Sequence, residues 1–158
     1  MPTKKPHIHL ATDHAGFEMK ESVKDWLLSE GFKVTDHGAE ELDPLDDFND
    51  FITKAAIAVS KKPTQTKGII FGGSGQGEAM MANRFKKIRA TVYYGGNEQI
   101  VVLSREHNNA NVLSLGARFM THSHAKKVIW NWIHGEASKE KKYVRRNRKL
   151  DSLSKDQT

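Results

Sequence analysis

Short apolar segments alternate with amphipathic segments along this chain, and this alternation strongly limits the folds open to it. Five segments rich in β-branched or aromatic residues are predicted strands: 7–11, 32–35, 68–71, 90–94 and 111–115. Predicted helices span 17–30, 48–61, 75–83, 98–106, 123–134 and 139–153. Strands and helices that alternate in this way form a parallel sheet covered on both faces. The sequence therefore predicts an α/β/α sandwich with a five-stranded parallel sheet.

Length and composition favour a single domain that spans residues 1–158. The chain has 158 residues, of which 37% are hydrophobic, and it contains no cysteine. Disulfides, thiolate metal sites, iron–sulfur clusters and a cysteine nucleophile are thereby excluded. No apolar run approaches the ~20 residues that a membrane-spanning helix needs, and the N-terminus lacks a signal-peptide core. We therefore expect a cytoplasmic protein with no membrane partner.

The net charge of +6 is concentrated in one segment. Residues 139–149 carry four Lys and three Arg against one Glu, which accounts for the entire net charge and predicts a basic C-terminal helix or tail over about 139–158. Residues 36–50 carry seven acidic groups and no Lys or Arg. Both segments are compatible with plain solvated surface. A nucleic-acid partner is disfavoured because the strands lack a pattern of stacking aromatics and the basic run is confined to one end.

The most unusual segments follow predicted strands, which is where ligands bind in parallel α/β sheets. They are TDHAG at 12–16, GGSGQGE at 72–78 and GAR at 116–118. A fourth segment, REHNN at 105–109, instead precedes the last strand. Only an oligomer or a long-range loop would bring it to the same edge of the sheet.

The glycine-rich segment 72–78 is a candidate anion cradle, because closely spaced glycines let backbone amides approach an oxyanion. It is neither a dinucleotide fingerprint nor a P-loop, since Glu78 stands where those motifs need Gly or Lys. Glu78 is a candidate general base, with an ordinary first-turn acid as the alternative. Ser74 is either a ligand contact or a simple turn residue.

Other candidate groups lie in the remaining motifs. Asp13 and His14 would project into the same crevice, although Asp13 is equally suited to cap a helix. His107 has the chemistry of an acid near neutral pH, and a structural role is its alternative. The histidines show no metal-ligand spacing, so no metal is predicted. Cations suited to a phosphate group are Arg118, Lys142, Arg145 and Arg146.

Four motifs in this order resemble the type B ribose-5-phosphate isomerases, a family that includes galactose-6-phosphate isomerase subunits. The motifs are DHAGF at 13–17, GGSGQGE at 72–78, SREHNNA at 104–110 and LGAR at 115–118, and the resemblance covers about residues 7–150. It implies a Rossmann-like fold, a homodimer or dimer of dimers, and aldose–ketose isomerisation without metal or organic cofactor. One branch of the family uses a cysteine at the position of Gly72 as base, and the other a glutamate at the position of Glu78. This chain lacks cysteine and resembles the glutamate branch.

The resemblance also implies a role for individual residues. Glu78 would move the proton between carbons 1 and 2 of the sugar, and His107 would open the furanose ring. An oxyanion hole would comprise Ser74 and the amides of Gly73, Gly75 and Gly77. Substrate contacts would further come from Asp13, Gln76 and Asn108, and the phosphate would be held by His14, Arg118, Lys142 and Arg146. His107, Asn108 and Arg118 would be supplied by a second subunit.

The chain departs from the family pattern at three places. Lys142 replaces the usual Arg, Phe48-Asn49 replaces a common Tyr-Pro pair, and the segment from Arg145 to Lys149 is more basic than the family pattern leads us to expect. We predict an isomerase that interconverts ribose 5-phosphate and ribulose 5-phosphate in the pentose phosphate pathway. The alternatives are a related substrate, namely allose 6-phosphate, galactose 6-phosphate or a tetrose phosphate, or a non-catalytic phosphate-ligand or nucleic-acid binding module.

Overall fold

The computed structural model describes residues 4–153, so residues 1–3 and 154–158 of the predicted domain and tail lie outside the described residues. Five strands are present: β1 His7–Thr12, β2 Val34–Asp36, β3 Thr66–Gly72, β4 Ala90–Tyr93 and β5 Val112–Gly116. Six α-helices accompany them: α1 Phe17–Ser29, α2 Phe48–Lys61, α3 Gln76–Ala82, α4 Gln99–Glu106, α5 His122–His134 and α6 Lys141–Leu153. Short 3-10 turns at His14–Gly16 and Ala117–Phe119 follow β1 and β5.

The strands form one parallel sheet in the order β2-β1-β3-β5-β4. Helices α1, α4 and α5 contribute to an apolar layer on one face, in which Trp132 is the largest fully buried side chain. Helices α2 and α3 contribute to the layer on the other face, around Ile52 and Ile70. The predicted single-domain α/β/α sandwich is therefore confirmed. No helix among residues 4–153 is both long and apolar enough to cross a membrane.

Several predicted element ends were wrong for local reasons. The predicted strand 32–35 lies instead at Val34–Asp36, while Phe32 is buried in the core before the strand begins. Helix α3 begins after Gly75, whose φ of 80° is left-handed and cannot continue the helix. Helix α5 begins at His122, one residue before the predicted start, because the Thr121 side chain caps it by accepting a hydrogen bond from the His124 N–H.

Most of the basic segment lies in α6, which begins at Lys141 rather than at the predicted residue 139 and has no buried residue. It is attached through the Asn147 Nδ2, which donates to the His107 carbonyl at 3.1 Å, and through an ion pair between Asp151 and Arg89 at 2.8 Å. The acidic segment 36–50 contacts other parts of the chain, for instance through Asp36, whose Oδ2 accepts from Lys20 at 2.6 Å. Among the described residues, no ion pair joins the two charged segments.

Candidate active site

Glu78 lies in the first turn of α3 and is buried, with its carboxylate against the end of β3. A Cβ built on Gly72 would overlap that carboxylate, so the absence of a side chain at position 72 makes room for Glu78. Burial raises the pKa of the Glu78 carboxyl above its ordinary value, and the nearby charge of Asp13 acts in the same direction. The backbone N–H of Glu78 itself opposes the shift. A carboxylate whose pKa is raised toward neutrality suits general-base chemistry.

The loop between β3 and α3 presents unused backbone donors. In residues 4–153, the N–H groups of Gly73, Ser74 and Gly75 find no acceptor. Ser74 Oγ accepts a weak hydrogen bond from the Gln76 N–H at 3.3 Å, and the Gln76 side chain is exposed. Free amides beside a buried carboxylate are the arrangement expected of an oxyanion cradle. The structure thus brings the predicted residues Gly73, Ser74 and Gly75 together with Glu78.

Arg118 lies beside the glycine loop of its own chain. Its guanidinium Nη1 is 3.0 Å from where a Cβ on Gly73 would stand, and its backbone N–H donates to the Gly73 carbonyl at 3.1 Å. The resemblance implies that Arg118 comes from a second subunit, and this stays a prediction. Within one chain, Arg118 lies beside its own glycine loop because β5 pairs with β3 through Gly116 and Gly72. This pairing puts the residue that follows β5 next to the loop that follows β3.

Asp13 and His14 reach the same edge from the end of β1. Asp13 caps the turn that follows, since its Oδ1 accepts from the Ala15 N–H at 2.9 Å, which confirms the structural alternative for this side chain. His14 is fixed by Asp46, whose Oδ1 accepts from the His14 backbone N–H at 3.0 Å and lies 2.7 Å from Nδ1. The hydrogen bond to Asp46 raises the pKa of His14, and the charge of Asp13 adds to this, while burial and Arg118 oppose it. An imidazolium held in this way suits an anionic substrate group.

Two residues that shape this edge were missed by sequence reasoning. Asp46 lies in an acidic stretch without periodicity, and no local pattern separated it from its neighbours. Ser114 donates from Oγ to the Gly75 carbonyl at 2.6 Å and so holds the glycine loop onto β5. Its signal was available: it is a polar residue in the middle of an apolar strand.

Phe48 borders the site from the first turn of α2. Its ring lies 3.0 Å from where a Cβ on Gly77 would stand, so the glycine admits the aromatic ring. The resemblance implies that family members commonly have Tyr at this position, whereas Phe48 has no hydroxyl group.

Asp13, His14 and Asp46 are also a geometrically possible metal cluster, with ligand atoms within 4.8 Å of one another. The His14 nitrogen that would face a metal, Nδ1, is already engaged with Asp46. A cation would have to displace that hydrogen bond. The donor set therefore favours an ion pair that charges His14 over metal ligation.

The remaining predicted residues form a second group at the opposite edge of the sheet. His107 follows α4 and stacks on Tyr143 of α6, with ring centroids 4.2 Å apart and planes inclined by 9°. Lys142 Nζ and Arg146 Cζ lie 4.8 and 6.0 Å from the centre of the same Tyr143 ring. Asn108 is exposed and lines a separate cavity of about 390 Å³.

One chain does not bring these two groups together. His107 comes before β5, whereas Arg118 and the glycine loop lie at its far end. Four steps along the strand at ~3.3 Å each put the two ends of β5 about 13 Å apart. The sequence-based expectation that an oligomer or a long-range loop would bring His107 to the glycine loop stays a prediction. The described residues of one chain keep His107 and the glycine loop at opposite ends of β5.

Comparison with known proteins identifies the family. The sequence model described as Ribose/Galactose Isomerase matches residues 8–151. The chain belongs to this family. It is 36% identical over 127 residues to a probable ribose-5-phosphate isomerase B of Mycoplasma genitalium, covering 80% of this chain and 82% of that protein. It is 33% identical to ribose-5-phosphate isomerase B of Mycobacterium tuberculosis, covering 88% and 84%.

A solved structure of a family member agrees with the fold. Ribose-5-phosphate isomerase B from Mycoplasma genitalium, solved with bound ribulose-5-phosphate, superposes with a TM-score of 0.88 at 32% identity. The match covers 94% of this chain and 96% of that one. The resemblance read from the sequence motifs is therefore confirmed at the level of family and fold.

Proposed function

We propose that this chain is an aldose–ketose isomerase that interconverts D-ribose 5-phosphate and D-ribulose 5-phosphate. The observation that carries the proposal is the buried Glu78 carboxylate, with its raised pKa, next to a loop of unused backbone amides. Relatives named ribose-5-phosphate isomerase B, one of them solved with ribulose-5-phosphate, support the choice of substrate.

In the proposed reaction, Glu78 removes the proton from carbon 2 of the open-chain aldose. The electrons of that C–H bond form the carbon 1–carbon 2 double bond, and negative charge develops on the carbonyl oxygen of carbon 1. The amides of Gly73, Gly75 and Gly77, with the Ser74 hydroxyl, stabilise the ene-diolate. Glu78 returns the proton to carbon 1, while the hydroxyl proton of carbon 2 passes to the oxygen of carbon 1. The reaction is a net internal redox exchange and needs no external oxidant.

We propose that the second group of residues enters the site from another copy of the chain. His107 would protonate the ring oxygen, Asn108 would lie beside it, and Lys142 and Arg146 would hold the phosphate together with His14 and Arg118. Separation of the two groups within one chain supports this homodimeric arrangement, as does the stacking of His107 on the helix that carries both cations. A metal ion and a cofactor have no part in the proposal, and the cytoplasm is its proposed location.

The test is turnover of ribose 5-phosphate by the purified protein with a chelator present. We expect chelator-resistant activity, a Glu78→Gln variant that binds substrate without turnover, and a matched Glu18→Gln variant that keeps full activity. Glu18 suits the control because it is exposed and also lies in the first turn of a helix. Full turnover by Glu78→Gln would reject Glu78 as the base.

A galactose 6-phosphate isomerase is the second candidate, because the family includes galactose isomerases. A hexose 6-phosphate is longer than ribose 5-phosphate by one hydroxymethylene group, and one carbon of chain length changes discrimination by only ~1–3 kcal/mol. The same base and cradle would therefore serve the longer sugar. Parallel assays with allose 6-phosphate, galactose 6-phosphate and a tetrose phosphate distinguish these substrates. No turnover of any sugar, with salt-sensitive binding to polyanions, would instead favour the binding-module alternative.

A further inference from the structure

A cavity of about 490 Å³ lies at the amino edge of the sheet, on the side away from the glycine loop. Its lining includes Lys67, the second residue of β3, and Arg105, in the last turn of α4. Lys67 and Gly72 are on the same strand, and five steps of ~3.3 Å separate them by roughly 16 Å. The cavity is thus distinct from the proposed catalytic site.

Arg105 is buried and fixed by neutral groups. Its Nε donates to the Gly135 carbonyl at 3.0 Å, and its Nη1 donates to Asn109 Oδ1 at 2.9 Å and to the Ala110 carbonyl at 2.6 Å. Its Nη2 finds no acceptor within residues 4–153, and no carboxylate of that part of the chain pairs with it. The guanidinium is therefore held in one orientation without a counter-charge.

Lys67 presents a second uncompensated cation in the same cavity. Its Nζ lies 5.5 Å from the centre of the Trp132 ring, and Arg105 Cζ lies 5.9 Å from the same ring. Neither a hydrogen bond nor an ion pair engages Lys67 Nζ in the described part of the chain. Burial, together with the charges of Arg105 and Arg89, lowers the pKa of Lys67 to about 7.

The rim of the cavity strengthens the positive potential. Lys4, Lys5 and Lys139 line it, whereas Glu136 is the one carboxylate among its lining residues and forms no ion pair with Lys67 or Arg105. His134 also lines the cavity and turns its Nδ1 to the Trp130 carbonyl at 2.8 Å. Partly buried cations without a counter-charge are costly, and an anion that enters between them relieves this cost.

We propose that this cavity binds a small anion that bears a phosphate group, held between the Lys67 ammonium and the free Nη2 of Arg105. A guanidinium that is already fixed by neutral acceptors loses little conformational entropy when it binds an oxyanion. The volume lies within the range of about 300–1,000 Å³ that small-molecule sites occupy. The site is additional to the proposed isomerase site and does not depend on that proposal.

The first test observes Lys67 directly by NMR of protein labelled with ¹³C-lysine. The Lys67 Cε signal is assigned by its absence from a Lys67→Met variant, and its titration is followed in chloride and in about 10 mM pyrophosphate at matched ionic strength. Pyrophosphate should raise the pKa of Lys67 by about one unit or more, because a bound anion favours the charged ammonium. An unchanged titration would overturn the proposal.

The second test separates this cavity from the catalytic site by calorimetry with pyrophosphate. We expect an Arg146→Ala protein to retain one class of binding, and addition of Lys67→Met to weaken that binding by about tenfold or more. Addition of Lys67→Arg should preserve it, and Lys86→Met, which removes an exposed lysine outside the cavity, should have no effect. Equal losses in the Lys67→Met and Lys86→Met proteins would show a general charge effect and reject the site.

Isomerase turnover provides an independent comparison. Lys67→Met should turn over ribose 5-phosphate at the wild-type rate while it loses pyrophosphate binding at the cavity. Loss of turnover in Glu78→Gln with retained pyrophosphate response at Lys67 would show that the two sites are separate. Failure of one proposal therefore leaves the other testable.

Discussion

The Glu78 carboxylate packs against the Cα of Gly72, in space that a side chain at position 72 would fill. Glu78 is thereby enclosed between the end of β3 and the first turn of α3, which is why its pKa is raised. The resemblance of the sequence motifs implies that the base of this family is either a cysteine at the position of Gly72 or a glutamate at the position of Glu78. The overlap gives a physical reason why only one of the two bases is present, because the Glu78 carboxylate occupies the space that a side chain at position 72 would fill.

We expect Gly72→Ala to lower kcat by about 100-fold or more, with a much smaller effect on KM, because a methyl group displaces Glu78, the proposed base, and leaves the proposed phosphate contacts intact. Steady-state kinetics with ribose 5-phosphate measure both constants. The double variant Gly72→Ala/Glu78→Gln is the control and should be no slower than Glu78→Gln alone. Additive losses would mean that position 72 acts through something other than Glu78.

Asp46 should control the charge of His14. Its hydrogen bond is the largest cause of the raised pKa of His14, so Asp46→Asn should lower that pKa and leave the imidazole neutral at a lower pH. As pH increases, KM for the sugar phosphate should therefore begin to rise at a lower pH in the variant than in the wild type. Profiles of kcat/KM against pH, with NMR titration of His14, measure this shift.

Asp50→Asn is the matched control for Asp46→Asn, because Asp50 is an exposed carboxylate in the first turn of α2. It should reproduce the wild-type profile. Identical profiles for wild type and Asp46→Asn would show that the charge of His14 does not contribute to substrate binding.

A histidine cluster on β1 and β2 should make the fold sensitive to acid. His9 Nδ1 lies 2.9 Å from His37 Nε2, and the His7 and His9 ring centres are 4.3 Å apart. Burial, with the charges of His7, His37 and Lys33, lowers the pKa of His9 from 6.5 to about 4. Between pH 6.5 and about 4, His9 binds a proton in the unfolded chain but not in the folded chain. The free energy of unfolding therefore falls as pH falls through this range.

Because the histidine rings keep some access to water, we expect a loss of about 1–2 kcal/mol between pH 6.5 and 4. Urea unfolding at a series of pH values measures it. A His9→Phe variant should show a flatter dependence, while His122→Gln, which changes an exposed histidine, should follow the wild type. A curve for His9→Phe that parallels the wild type across this window would contradict the assignment.

Local sequence patterns predicted the fold and the part of the site that lies in the loops after β1 and β3. The hydrophobic periodicity of strands and helices can be read from neighbouring residues. The positions of the loops after β1 and β3 then follow from the strands that precede them. The side chain that charges His14 comes from an acidic loop 32 residues away in sequence, where no period marks Asp46. The place of Arg118 depends on β5 inserting between β3 and β4, and this strand order is a long-range property that local patterns do not contain.

The same strand order makes a prediction about which chain supplies each residue. Arg118 and Glu78 lie at the same edge in one chain, whereas His107 lies at the other edge and would come from a partner. Co-expressed Glu78→Gln and His107→Ala chains should therefore form heterodimers in which one of the two sites is intact. With random pairing, half of the dimers are mixed, so activity should recover to about a quarter of the wild-type value.

The control for this complementation pairs Glu78→Gln with Arg118→Ala. Both residues belong to the same half of the site, so every mixed dimer carries one defect in each site and activity should stay at the level of the parent variants. The turnover rates of the co-purified mixtures, compared with the rate of each variant alone, show whether Arg118 and Glu78 act from the same chain. Recovery with Arg118→Ala and none with His107→Ala would exchange the two assignments, and it would require that Arg118 leave Gly73 to act in the partner's site.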